Sequence, residues 1–142
     1  MPGPDEHTTQ ADSNSRFMRS ASFENGAFRD WFVTAAFYTA VHWVDCYLAQ
    51  QPYVARHPER HRYRWEALDE LLALTVMPQD VYDAYSDLYT LSVKARYNCV
   101  PMTEARVRYV EDALLPPIRQ WAYPTIGSPS PIAVQGDAPE PR

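Results

Sequence analysis

The longest apolar pattern in the chain covers residues 28–51, and it predicts a central helix. Apolar side chains recur there at spacings of three and four residues and cover most of the helical circumference. A helix that is apolar nearly all round packs on several sides, so we expect this one at the centre of the fold. Its few polar residues, Asp30, His42 and Asp45, therefore need an explanation.

Four shorter patterns of the same period predict helices around the central one. Ser15 and Thr103 are the predicted N-caps of the first and last helices, and Pro58 suits the first turn of the third. Pro116-Pro117 should kink or break the last helix. In chain order the predicted helices are residues 15–24, 28–51, a third from residue 58, 78–98 and 103–121. Nothing alternates with period two, so we expect an all-α, mostly antiparallel bundle of four to five helices.

The two ends of the chain lack these patterns. Residues 1–15 hold no aromatic and no branched aliphatic side chain, and residues 123–142 hold five of the thirteen prolines. Segments that bury so little apolar surface do not offset the entropy of ordering them. We therefore predict two disordered tails and one folded domain over residues 16–122.

Dividing the charge in the same way leaves the predicted domain nearly neutral. The chain carries −5, and the acidic tails account for most of it, leaving about −1 for residues 16–122. Of the 13 basic residues only Lys94 is a lysine, and arginine binds phosphate or carboxylate bidentately. The N-terminus lacks a signal-peptide pattern, and the longest apolar run is too short to span a bilayer. A cytoplasmic protein without a membrane span is expected.

His42 is the first candidate for a functional role. Asp45 and Tyr38 lie on the same helical face, three residues after it and four before it. Such neighbours fix the tautomer of an imidazole and raise its basicity, as a general base requires. The alternative is a structural histidine satisfied inside the core. Metal binding through His42, Asp45 and Cys46 fits the spacing, but no second pair of ligands is evident, so neither a metal nor a cofactor is predicted.

The segment RHPERHRYR, residues 56–64, is the second candidate. Arg56, His61 and Arg64 would gather side-chain donors near a helix N-terminus, where free backbone N–H groups and the helix dipole attract phosphate. A solvated basic turn paired with nearby carboxylates is an equal alternative.

The third candidate lies along the fourth predicted helix. Tyr82, Tyr85 and Tyr89 recur at helical spacing, which favours a half-buried core position over a base-stacking surface. Arg96 follows late in the same helix. It either closes the bundle through an ion pair or points into a polar cleft.

Three runs, AFYTAVHW at residues 36–43, HRYR at 61–64 and LSVKARY at 91–97, resemble motifs of HEPN domains in the same order. The resemblance covers residues 28–121 and implies a four- or five-helix bundle, usually a homodimer, that binds RNA or nucleotides. Many such domains are metal-independent ribonucleases of toxin–antitoxin, phage-defence or CRISPR systems.

The chain departs from the active members in one respect. These carry an arginine, four to six intervening residues and then a histidine, late in the bundle, whereas that spacing from Arg96 reaches Pro101, Met102 and Thr103. Arg56, with His61 and the tyrosine two residues beyond it, matches the fuller pattern, but ahead of the third helix.

Two functions follow as hypotheses. In the first, the domain binds RNA or a nucleotide. The catalytic form of this hypothesis is a ribonuclease, in which a histidine deprotonates the 2′-OH and arginines stabilise the charge on the phosphate. In the second, the same residues serve a non-catalytic dimerising module that holds a partner protein, such as a cognate antitoxin, or a small anionic ligand. The predicted catalytic residues are His61, Arg96 and His42, and the predicted substrate-binding residues are Arg56, Arg64, Tyr97, Tyr38 and Asp45.

Overall fold

The computed structural model describes residues 2–20, 28–51 and 61–122, and within these ranges it contains helices and no strand. The predicted all-α class is confirmed. The elements are α1 (Pro4–Ser20), α2 (Arg29–Ala49), α3 (His61–Ala73), α4 (Gln79–Tyr97), α5 (Glu104–Tyr109), a π-helical turn (Val110–Leu114) and α6 (Leu115–Ala122). None of the described helices is both long enough and apolar enough to cross a membrane.

The central helix is α2, as the apolar pattern predicted. It packs against α1, α4 and α6. Phe32, Val33 and Phe37 are among its fully buried side chains. Neighbouring polar groups on α2 are buried with them, including Asp45. Because α2 is covered on several sides, its polar residues that face a neighbouring helix, such as Asp45, are removed from bulk solvent.

The prediction of a disordered N-terminal tail is wrong for residues 4–15, which form most of α1, and Ser15 lies inside this helix instead of capping it. α1 lies antiparallel to α2, with Pro4 near Cys46 and His7 near His42. Its docking depends on few apolar atoms.

Only three side chains of α1 are buried, His7, Ala11 and Met18. The other contacts to α2 are polar: the Cys46 thiol donates to the Pro4 carbonyl at 3.5 Å, and Thr8 Oγ1 lies 3.8 Å from Cys46 Sγ. Because α2 supplies most of the apolar surface, hydrophobicity within α1 did not reveal the helix. With α1 included, the described residues carry 14 acidic and 10 basic side chains, a net charge of −4, so this part of the chain is acidic rather than neutral.

The fourth and fifth predicted helices are observed with small changes. Pro78 is the N-cap of α4 and Asn98 its C-cap. Thr103 caps α5, since its Oγ1 accepts a hydrogen bond from the Arg106 N–H at 3.2 Å. The pair Pro116-Pro117 does not break the last helix.

The helix instead widens into the π-helical turn over residues 110–114 and continues as α6 to Ala122. A proline lacks the N–H of an α-helical hydrogen bond, and its ring collides with the carbonyl four residues earlier. A wider turn just before the prolines relieves that collision. The predicted kink is therefore a local change of helix type. The predicted roles of Pro58 and of residues 123–142 lie outside the described residues.

Candidate anion-binding site

A buried ion pair joins α2 to α3. Arg64 Nε donates to Asp45 Oδ1 at 2.6 Å and Nη2 donates to Oδ2 at 2.8 Å. The two side chains are only 7% and 8% exposed. Buried charges persist only with such partners, so this pair orients α3 on α2. Both residues were predicted to bind substrate, and the structure makes them partners of each other instead.

The same arginine sets the hydrogen-bonding state of His61. Arg64 Nη1 lies 3.1 Å from His61 Nδ1. A guanidinium has only donors, so His61 Nδ1 must accept, and a neutral His61 then carries its proton on Nε2. Burial lowers the pKa of His61 below its ordinary 6.5, and the positive charges of Arg64 and Arg96 lower it further against the opposing effect of Asp45. His61 is therefore neutral at pH 7, with an Nε2–H.

This Nε2–H faces solvent. Nδ1 accounts for every hydrogen bond of His61 within the described part of the chain. Among the described residues no fully buried side-chain nitrogen or oxygen lacks a hydrogen bond. Because Nε2 has no partner there, it must be accessible, and it presents a donor rather than a lone pair.

Arg96, on the last turns of α4, has only neutral partners among the described residues. Its Nε donates to the Ser92 carbonyl at 3.2 Å, Nη2 to Ser92 Oγ at 3.2 Å and Nη1 to Tyr38 Oη at 2.8 Å. No carboxylate of the described chain forms an ion pair with it. Three of its five N–H groups are used, so two remain.

Aromatic rings surround this guanidinium. Its central carbon lies 5.5 Å from the Phe37 ring centre, 5.3 Å from that of Tyr38 and 5.0 Å from that of Tyr97. These separations are those of cation–π contacts. Phe37 is fully buried, whereas Tyr97 is 70% exposed. The rings thus hold the cation at the edge of the core, with one exposed aromatic face beside it.

His61 meets the same Phe37 ring from α3, with 5.7 Å between the ring centres. Arg96 is near enough for its charge to act on His61. We call the group formed by Tyr38, His61, Arg96 and Tyr97 around Phe37 the Arg96 cleft. The structure thus brings together four predicted site residues from three helices. Arg56 lies outside the described residues.

His42 points toward α1 instead. Its Nδ1 lies 3.0 Å from Nδ1 of His7. Burial lowers the pKa of His42, the nearby His7 and Arg64 add to this, and Asp45 opposes it. His7 had no place among the predicted residues because its segment was assigned to a tail. The sequence pattern assigned Ser92 no role of its own, although its carbonyl and hydroxyl both accept hydrogen bonds from Arg96.

No family model matches the sequence, and neither a curated protein nor a solved structure matches it. The resemblance to HEPN domains, and the homodimer and cognate partner that it implies, stay predictions.

Proposed function

We propose that this domain binds a small phosphate-bearing ligand, such as a nucleotide, in the Arg96 cleft. The observation that carries the proposal is the unbalanced charge of Arg96. Its side chain is half-buried against Phe37 and Tyr38, and its hydrogen-bond acceptors in the described chain are all neutral. A partly desolvated cation without a counter-ion is unfavourable, and a bound anion would remove that cost.

The other polar groups of the cleft can also donate hydrogen bonds to a ligand. The Tyr38 oxygen accepts from Arg96, which leaves the Tyr38 hydroxyl hydrogen for a ligand. His61 presents Nε2–H, and Arg96 has two further N–H groups. Phosphate oxygens accept hydrogen bonds, and bonds from a charged donor are the strongest of this kind. The exposed ring of Tyr97 stands next to the guanidinium and suits stacking of a base.

The overall charge favours a small ligand over a long RNA. General nucleic-acid binders are basic because affinity comes from many phosphate contacts. Here residues 4–122 carry about −4, so an extended polyanion would be repelled outside the cleft. A single cation, Arg96, in an otherwise acidic domain favours a ligand with one phosphate group at the cleft.

The tautomer of His61 gives less support to a ribonuclease. A general base needs a lone pair directed at the substrate, and the Nδ1 lone pair of His61 faces Arg64. Moving the proton to Nδ1 would set an N–H against the Arg64 N–H. Binding without cleavage therefore fits the described geometry better.

Isothermal titration with nucleoside mono-, di- and triphosphates tests the proposal. Arg96→Gln should weaken binding about 10- to 100-fold, because a hydrogen bond to a charged group contributes roughly 1.5–3 kcal/mol. Arg62→Gln is the matched control, since Arg62 lies exposed on α3 in an ion pair with Glu66. Equal affinities for the wild type and Arg96→Gln, or no binding of any nucleotide, would contradict the proposal.

An RNA-cleavage assay in EDTA separates the ribonuclease hypothesis from simple binding. We expect no cleavage above that of the His61→Ala variant. Cleavage by the wild type that disappears in His61→Ala would show that the cleft is catalytic. The binding-only proposal would then be wrong.

A further inference from the structure

A second polar cluster lies between α1 and α2, and the phosphate proposal does not use it. His7, His42 and Asp45 each offer a ligand atom, and these atoms lie within 4.8 Å of one another. His7 and Asp45 are buried, and His42 is half-buried. From the sequence, His42, Asp45 and Cys46 fitted a metal site by spacing, but no second pair of ligands was evident. His7, from α1, supplies a ligand that the sequence pattern did not indicate.

The two imidazoles converge on one point. Their Nδ1 atoms are 3.0 Å apart, and the rings are tilted by 39° with centres 5.3 Å apart. In the absence of metal, one Nδ1–H donates to the other Nδ1. A metal between them would use both lone pairs, and each neutral ring would then keep its proton on Nε2. No net proton release is required, because neutral imidazole is already the ligand form.

We propose that His7, His42 and Asp45 form a binding site for one divalent transition-metal ion of the Zn²⁺ class. Imidazole nitrogen and carboxylate oxygen are the ligands that such ions accept. Tetrahedral zinc with bonds of about 2.1 Å separates its ligand atoms by about 3.4 Å. The histidine nitrogens, 3.0 Å apart, are already near that spacing. The carboxylate must approach from as far as 4.8 Å, by up to about 1.4 Å, and the fourth position is left for water.

Arg64 lowers the expected metal affinity of this site but does not prevent metal binding. A carboxylate has about four lone-pair sites, and Arg64 takes one on each oxygen of Asp45. The remaining lone pairs can bind a metal, with Arg64 orienting the carboxylate as an outer-shell partner. The positive charge of Arg64 opposes the ion, so we expect weaker binding than at a cysteine-rich structural zinc site.

The position of the cluster defines the consequence of binding. One ligand comes from α1 and two come from α2, so a bound ion would clip α1 to the central helix. α1 buries few side chains of its own. Metal binding should therefore stabilise the docked state of α1 by mass action.

Titration of the chelator-treated protein with Co²⁺ and Zn²⁺ tests this site. We expect one equivalent of Co²⁺ to produce the strong visible absorption of tetrahedral cobalt, and Zn²⁺ to displace it and raise the melting temperature. His7→Gln and His42→Gln should each abolish the absorption. His61→Gln, which removes a histidine of the Arg96 cleft, should leave it unchanged.

Two results would overturn the proposal: absence of stoichiometric binding to the wild type, or full binding by His7→Gln. Circular dichroism establishes whether each variant keeps its helical content. If a variant unfolds, the wild type still decides, because Co²⁺ shifts the NMR resonances of the histidines that bind it. Shifts confined to the other two histidines of the chain would reject the cluster. None of these outcomes depends on nucleotide binding.

Discussion

The two arginines at the centre of the molecule have opposite surroundings. Arg64 is buried and neutralised by a bidentate contact with Asp45. Arg96 is half-buried, held by the Ser92 carbonyl, the Ser92 hydroxyl and the Tyr38 hydroxyl, with no carboxylate partner among the described residues. The first arginine links α3 to α2 through a buried ion pair, and the second carries the charge on which the proposed ligand site rests. Residue type is therefore a poor guide to the role of an arginine in this fold, and the presence of a counter-ion is a better one.

The largest expected effect comes from breaking the buried ion pair between Asp45 and Arg64. Asp45→Asn removes the carboxylate charge that faces the buried Arg64 guanidinium. We expect the free energy of unfolding to fall by about 3–5 kcal/mol. Urea denaturation followed by circular dichroism measures it. A loss below about 1 kcal/mol would show that solvent or another group compensates Arg64.

The matching substitution at Arg96 should spare stability. Arg96→Gln removes a cation that has no charged partner in the described chain and replaces it with a shorter, uncharged polar side chain. We expect the free energy of unfolding to change by no more than about 1 kcal/mol, as for most substitutions that create neither a cavity nor an unpaired charge. The same urea denaturation measures this change. If the free energy of unfolding fell as far as in Asp45→Asn, Arg96 would have a structural role like that of Arg64.

A substitution with a smaller expected effect removes one hydrogen-bond donor of the Arg96 cleft. Tyr38→Phe removes the hydroxyl that accepts from Arg96 Nη1 and that can donate to a ligand. A single hydrogen bond contributes about 1 kcal/mol, so nucleotide affinity should fall by about fivefold. Titration calorimetry on the variant measures this. Tyr82→Phe is the control, since the Tyr82 hydroxyl donates to Asp69 instead, and it should bind as the wild type does.

The smallest expected effect is the pH dependence at the α1–α2 contact. His42 has a lowered pKa, caused first by burial and then by His7, so its neutral form is favoured in the folded state. The stability that this contributes is fully present above pH 6.5 and is lost as the pH falls through the lowered pKa. Melting temperatures of the metal-free protein between pH 7.5 and 5 should decline, and His42→Gln should flatten that decline. Identical pH profiles for the two proteins would contradict this role.

Much of the fold was predictable because helical periodicity is local. α2 was expected over residues 28–51 and is observed over Arg29–Ala49, and the Thr103 cap was read directly from its position before α5. Most of α1 was not predicted, because its own side chains bury little apolar surface and its docking depends on α2. The π-helical turn was not predicted either. The two prolines indicate that helical hydrogen bonds are disrupted, but they do not indicate how the backbone accommodates the disruption.

The candidate site was predictable only as a set of residue types. His61, Arg96, Tyr38 and Tyr97 were singled out from spacing and from the HEPN resemblance, and they meet in one cleft. Arg64 and Asp45 were placed in the same set, although they are partners in the core. No spacing along the chain distinguishes these two outcomes, since Arg64 and Asp45 are 19 residues apart and Arg96 and Tyr38 are 58 apart.

The sequence by itself determined the helical class, the central position of α2 and the residues able to carry charge or protons. Those properties follow from side-chain chemistry and from the 3.6-residue period. Only the tertiary structure decided which arginine is neutralised, which nitrogen of His61 carries the proton and which residue faces His42. Each of these depends on a contact of about 3 Å between groups on different helices. The carboxylate of Asp45 pairs with Arg64, whereas Arg96 has no carboxylate partner among the described residues.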